Sequence, residues 1–196
     1  MSNIVILSAH PDDLEMSCGG SVAKWIAEGH RVINLIMVPS VKHAKFLKNA
    51  SQHLGHETLL YSSSSRKLEV DSELVAQVES YFADIKIDRI ITHWEEDWHQ
   101  DHQACNKLGR ILARKQPVEL WYMSSVPYNQ KYSRFSPDIY VNIESYSHLK
   151  YRSIGEYYNL KNTSWPKMAR SHDAWRGTFI EKTAAEVFKV ESMFEL

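Results

Sequence analysis

Cysteine is nearly absent. Cys18 and Cys105 are the only two in 196 residues, too few for a disulfide scaffold, and a reducing compartment is the simpler setting. A charge excess of either sign is also lacking. Lys+Arg number 23 against 24 Asp+Glu, a net charge of -1, so nothing in the charge argues for a nucleic-acid partner. No stretch reaches the roughly 18 uncharged apolar residues of a membrane span, so no membrane anchor is expected. The opening MSNIVILSAH has no basic n-region, and its apolar run ends too soon for a signal peptide. A cytoplasmic location is the expectation. There is no G-x-S-x-G elbow, which argues against a serine hydrolase. No internal repeat, low-complexity tract or boundary divides the chain, so 1–196 reads as a single domain.

What is present is a globular balance, 43% hydrophobic and 24% charged, together with ten histidines, a high count for this length. Residues 3–9 read as a buried strand, followed by a turn, HPDDLEMSCGG, and a helix over 21–28 stopped by Gly29. A second strand covers 31–38, and a helix covers 42–54, stopped by Gly55. A short strand at 57–61 and a serine-rich surface turn at 62–65 come next. Then follow a helix over 72–83, a strand over 89–92, a helix from about Asp101 to Arg114 capped near Asp101, and a strand over 118–123. This alternation implies an α/β fold, a three-layer arrangement with a mostly parallel sheet and helices on both faces. The remainder is less regular: an aromatic-rich loop, a strand at 139–143, and helices near 146–158 and 173–181.

Two polar clusters fall at strand ends. His10-Pro11-Asp12-Asp13, with Glu15 beyond, follows the first strand; His99-Gln100-Asp101-His102 follows the fourth. Open α/β sheets bind ligands outside the carboxyl ends of their strands. In a flavodoxin-like order with strands one and four adjacent, the clusters would face one another. A histidine and an aspartate from the first, with a histidine from the second, would make a two-His, one-carboxylate set with open positions. That set suits catalytic zinc, and equally the facial triad of non-haem iron, so spacing alone does not name the metal. The acids and imidazoles exceed what a metal needs. The surplus favours hydrolysis, with one carboxylate as general base and one imidazole for the oxyanion and leaving group.

SAHPDDLEMSCGG followed by a helix resembles the opening motif of the PIG-L/LmbE-type zinc-dependent N-deacetylases. That family includes N-acetylglucosaminyl-phosphatidylinositol deacetylases and the deacetylases of mycothiol and bacillithiol biosynthesis. Thr92-His93 through WHQDH is similar to the family's second motif, with Gln100 where proline is common. Phe135 and Pro137 leading to YVNI, Arg170-Ser171, Arg176-Gly177 and AAEVF at 184–188 extend the resemblance over nearly the whole chain. It implies a Rossmann-like, LmbE-like fold with an irregular C-terminal extension. It further implies removal of an N-acetyl group from an amino sugar or sugar conjugate, with one zinc per chain (Fe2+ being another divalent option). The ligands it implies are His10, Asp13 and His102. Asp12 would be the base for a metal-bound water, His99 the oxyanion and amine partner, Asp101 the group orienting His99, and Glu15 a support for His10 or the turn. Gly19 and Gly20 would let the helix start approach the site.

The chain departs from that pattern in places. His43 and Phe46 stand where many relatives carry an R-x-x-E pair, and Asp97 stands where some carry a tyrosine. A different, non-hexosamine amide substrate therefore stays open, as does a non-catalytic sugar-binding module. Trp94, Asp97, Trp98, Tyr128, Arg134, Arg170 and Arg176 are the candidate substrate contacts. Glu95, Glu96 and Asp97 otherwise read as a solvated face, His93 as a structural histidine at the pocket's edge, and Trp25, Trp121 and Trp175 as core. The partner expected is a small N-acetylated sugar or conjugate. A homo-oligomer is compatible with the exposed tyrosines but is not legible.

Overall fold

The strand β1 (Asn3–Ser8) is buried beyond its first residue because it is paired on both edges. It runs parallel to β2 (Arg31–Ile36) on one side and to β4 (Arg89–His93) on the other. The computed structural model describes residues 1–39, 41–61, 68–115, 117–124, 135–158 and 164–192. Further strands are β3 (Glu57–Leu60), β5 (Glu119–Met123), β6 (Ile139–Asn142) and β7 (Ala185–Ser192). The sheet order is β3-β2-β1-β4-β5-β7-β6. Strands one and four are neighbours, as expected, but the order is the 3-2-1-4-5 of Rossmann folds rather than a flavodoxin-like one. The chain winds outward from β1 to β3, then returns past β1 to begin β4. The reversal opens a crevice between β1 and β4, where both polar clusters emerge.

The helices are α1 (Asp13–Ala27), α2 (Val41–Leu54), α3 (Ser72–Tyr81), α4 (Gln100–Ala113), α5 (Ser147–Tyr157) and α6 (Trp165–Thr178). Alternating strand residues feed two cores. Val5, Leu7, Ile33, Leu35, Ile90 and Leu120 meet Leu74 and Val78 of α3 and Leu108 and Leu112 of α4. On the other face Ile4, Ile6, Val32, Ile91 and Trp121 meet Leu14, Val22 and Trp25 of α1. The α5 helix lies outside α1 and α2: Ile154 and Tyr151 pack on Met16, and Tyr157 on Ile36, Leu47 and Ala50. Gly29 and Gly55 follow α1 and α2 at φ 88°, the left-handed stop that their positions predict.

Three expectations need correction. The first helix begins at Asp13, not Ser21, so most of the expected turn is helical. Its glycines serve close packing rather than a turn. A Cβ on Gly20 would stand 2.8 Å from Ile143 Cδ1, and one on Gly19 would stand 3.3 Å from Lys150 Cγ. The last helix begins at Trp165, with Pro166 in its first turn where a missing N–H costs nothing. The AAEVF segment, to which the sequence pattern assigned no element, is a strand: β7 joins the sheet antiparallel to β5 and β6. Trp175 is 52% exposed on α6, whereas Trp25 and Trp121 are core as expected. The serine turn at 62–65 lies outside the described residues.

Candidate active site

Residues 10–13 turn off the end of β1 directly into α1. The His10 amide donates to Asp13 Oδ2 at 2.6 Å, a bond that aims the Asp13 carboxylate back over the strand end. Three imidazoles surround that carboxylate. His10 Nδ1 is 3.5 Å and His93 Nε2 3.3 Å from Oδ2, and His102 Nε2 is 3.4 Å from Oδ1. Among the described residues two donor triads follow, His10 with His99 and His102, and Asp13 with His93 and His102, each with ligating atoms within 4.8 Å. His102 belongs to both.

The second cluster is organised by Asp97. This residue is 2% exposed, not part of a solvated face. A turn from Trp94 folds it under the start of α4, where polar groups gather on it. Its Oδ2 lies 2.8 Å from His102 Nδ1, and its Oδ1 accepts the His99 amide at 2.8 Å. Its carbonyl accepts from Gln103 at 2.6 Å. With Nδ1 committed to Asp97, His102 presents Nε2 to Asp13. The cap of α4 is His99, in the loop before Asp101: His99 Nδ1 accepts the Asp101 amide at 3.2 Å. The Asp101 carboxylate lies 3.2 Å from His10 Nε2 and 3.8 Å from His99 Nδ1, so it faces His10 more closely.

Tyr158, just beyond α5, donates its hydroxyl to Asp12 Oδ2 across 146 positions of sequence. Sequence reasoning missed this contact, and no local signal announces it. Glu15 is fully buried, with Tyr157 Oη at 3.4 Å and His56 Nε2 at 3.9 Å, so its neighbours come from α5 and the approach to β3 rather than from His10. Gly20 and Ser21 turn their amides to Glu186, away from the site. Trp94 is buried edge-on against Tyr122 and Phe135 and takes the core role. Trp98 is 63% exposed. Arg170 sits 4.0 Å over the Tyr151 ring, and buried Arg176 sits 4.6 Å over Trp175. Both arginines therefore have partners within the C-terminal helices. Phe46 is half-buried beside the apolar cluster of α2 and α5. Tyr128, Arg134 and the His43 side chain lie outside the described residues.

The electrostatics favour a cation. Burial opposes the charge of Asp13, yet His102, His93 and His10 outweigh it and hold the carboxyl well below its ordinary range. Burial likewise opposes protonation of His102, but Asp13 and Asp97 push its pKa up to about 10. Without a metal, the cluster thus keeps a proton between two carboxylates, where a divalent ion would satisfy the same charge. His93 is held neutral, at about 4, by burial and by His102. His99 is lowered by burial, then by His102 and His10. Imidazole and carboxylate donors with no thiolate fit zinc, and fit iron as well.

No protein-family model matches the chain. An uncharacterized deacetylase, YaiS of Escherichia coli, is 26% identical over 133 residues, covering 61% of this chain and 72% of its own. Solved structures match over the whole chain. The conserved protein TT1542 from Thermus thermophilus superposes at TM-score 0.81 with 20% identity, covering 100% of this chain and 98% of its own. GalB, the 4-carboxy-2-hydroxymuconate hydratase from Pseudomonas putida, reaches 0.85 with 14% identity, covering 100% and 98%. The N,N'-diacetylchitobiose deacetylase from Pyrococcus horikoshii reaches 0.78 with 15%, covering 96% and 83%.

The fold is shared with these solved structures, and the deacetylase relative, at 26% identity, is in keeping with the resemblance read from the two motifs. Fold and clustered site are consistent with a metal-dependent hydrolase. The hydratase among the similar structures shows that this fold also carries other chemistry, so the reaction has to be argued from the site. Among the described residues no helix is long and apolar enough to cross a membrane.

Proposed function

We propose that this chain is a zinc-dependent N-deacetylase acting on an N-acetylated amino sugar or sugar conjugate. The observation that carries the reading is the Asp13 carboxylate with imidazoles of His10, His93 and His102 all within 3.5 Å. His10, Asp13 and His102 would hold the metal. Zinc bound there supplies Lewis-acid polarisation of an amide carbonyl and lowers the pKa of a water. The rest falls to the protein. Asp12 takes the proton of the attacking water with Oδ1, because Oδ2 is occupied by the Tyr158 hydroxyl. His99 accepts the Asp101 amide at Nδ1, so its neutral tautomer carries the proton on Nε2. His99 is half-exposed, and that N–H is suited to donating to the oxyanion, while the departing amine takes the proton that Asp12 removed from the water. Asp101 fixes the tautomer through its backbone, and its carboxylate steadies His10. Exposed Trp98 offers a face to a sugar ring. The same reading takes 1–196 as one cytoplasmic domain with a small-molecule partner.

A second reading, hydrolysis of a non-hexosamine amide, is favoured by one observation. Asp97, in the position of some relatives' tyrosine, is turned inward to His102 and offers substrate nothing. The test is acetate release from a panel of N-acetylated hexosamines, free and glycosidically substituted, with bound metal quantified in the same preparation. Release lost on chelation and in Asp12→Asn is the expected result. Bound zinc with no release from any member would overturn the hexosamine assignment in favour of the other amide.

A further inference from the structure

Helix α1 is broken at Cys18, whose φ of -145° and ψ of 17° are not helical. The break separates a short first turn, which presents Asp13, from the longer run through Trp25. Two amides at the start of that run, those of Gly20 and Ser21, donate to the Glu186 carboxylate at 3.0 Å and 2.6 Å. This is helix capping by a distant side chain, with the anion at the positive end of the second half-helix. Glu186 comes from β7. Its Oε1 lies 2.8 Å from Lys150 Nζ on α5, and the same ammonium lies 2.9 Å from Asp173 Oδ1 on α6. Lys150 is 0% exposed, and both acids are buried. Its stem passes against Gly19, which leaves no room there for a larger residue to relax freely.

A buried ion network of this kind stabilises a fold less than apolar packing of the same volume would, and its best-attested use is to specify one arrangement. Here the arrangement it specifies is the break. Three C-terminal elements thus meet at the break in the helix that carries Asp13. We propose that Glu186, Lys150 and Asp173 are positioning residues for the metal centre, acting through the break in α1. This rests on the reading of His10, Asp13 and His102 as metal ligands.

The test uses the full chain and the metals themselves. Zinc affinity and the visible absorption spectrum of the cobalt-loaded protein are compared between the unsubstituted chain and the double variant Lys150→Met/Glu186→Gln, which removes opposite charges together. Thermal unfolding of the metal-free proteins is followed alongside. The expected result is a folded variant with zinc binding weaker by on the order of ten-fold, comparable to loss of a group that orients a ligand, and an altered cobalt spectrum. A role confined to stability would move the unfolding midpoint and leave affinity and spectrum in place, which overturns the inference alone. Failure of the unsubstituted chain to bind either metal overturns the ligand reading and this inference with it. Should the double variant not fold, Glu186→Gln alone keeps one carbonyl oxygen for the amides and leaves Lys150 paired with Asp173. The same affinity and spectral criteria then decide.

Discussion

His102 Nδ1 lies 2.8 Å from Asp97 Oδ2, and through this contact a carboxylate from the loop after β4 decides which face of the imidazole meets Asp13. Replacing Asp97 by Asn keeps the shape but removes the charge. Zinc affinity is expected to fall about 10-fold, within the range for groups that orient metal-bound histidines. Isothermal titration or competition with a chelating dye measures it, and unchanged affinity would mean that Asp97 serves only the loop.

The proposed ligand set takes members from both donor triads, His10 from one, Asp13 from the other and His102 from each, and substitutions separate it from the outer triad. If His10, Asp13 and His102 are the ligands, His10→Ala and Asp13→Ala lose stoichiometric zinc, well beyond the ~10–100-fold that orienting groups cost. His99→Ala then keeps zinc while losing turnover. Zinc lost in His99→Ala and kept in Asp13→Ala would instead identify the outer triad of His10, His99 and His102 as the site.

Tyr158 holds one oxygen of Asp12. In Tyr158→Phe the carboxylate is freer to turn away from the attacking water. The expected loss is about ten-fold in kcat, roughly 1.4 kcal/mol of barrier, with KM and zinc content little changed. Steady-state kinetics on whichever amide proves to be the substrate reads this. A change in KM alone would make Tyr158 a substrate contact.

Two neighbours on α6 should tilt stability in opposite directions with pH. Burial, then Arg176 and Lys150, lower the pKa of His172 from 6.5 to about 3. The unfolded chain therefore binds a proton that the folded chain refuses, and this contribution, full above pH 6.5, is lost as pH falls toward 3. Burial raises Asp173 from 3.8 to about 6, with Glu186 adding to the rise against the pull of Lys150. Here the folded chain keeps a proton that the unfolded chain has released, so stability falls as pH rises from 3.8 to 6. In the intact protein the slopes offset. Asp173→Asn should leave stability rising with pH over this interval, and His172→Gln should leave it falling. Urea unfolding at a series of pH values distinguishes them, and parallel profiles would rule the account out.

Much of the site was legible because its two motifs are local. His10 to Asp13 and His99 to His102 are contiguous runs at strand ends, and strand ends are readable from short-range hydropathy. The alternation of periods likewise gave the layers and the mostly parallel sheet, whereas the strand order did not follow from it. Such signals depend on neighbours in sequence, which one chain displays in full.

What only the tertiary structure decided lies in contacts between distant segments. Asp97 looked like one of three solvated acids, and a turn buried it against His102. Tyr158 reached Asp12 because α5 packs across α1. β7 entered the sheet because its pairing with β5 and β6 satisfies backbone groups along a segment to which the sequence pattern assigned no element. Glu186 found the amides of a helix break in the same way. Each of these depends on which surfaces become neighbours when apolar faces are buried, and that is a property of the whole packed chain rather than of any stretch within it.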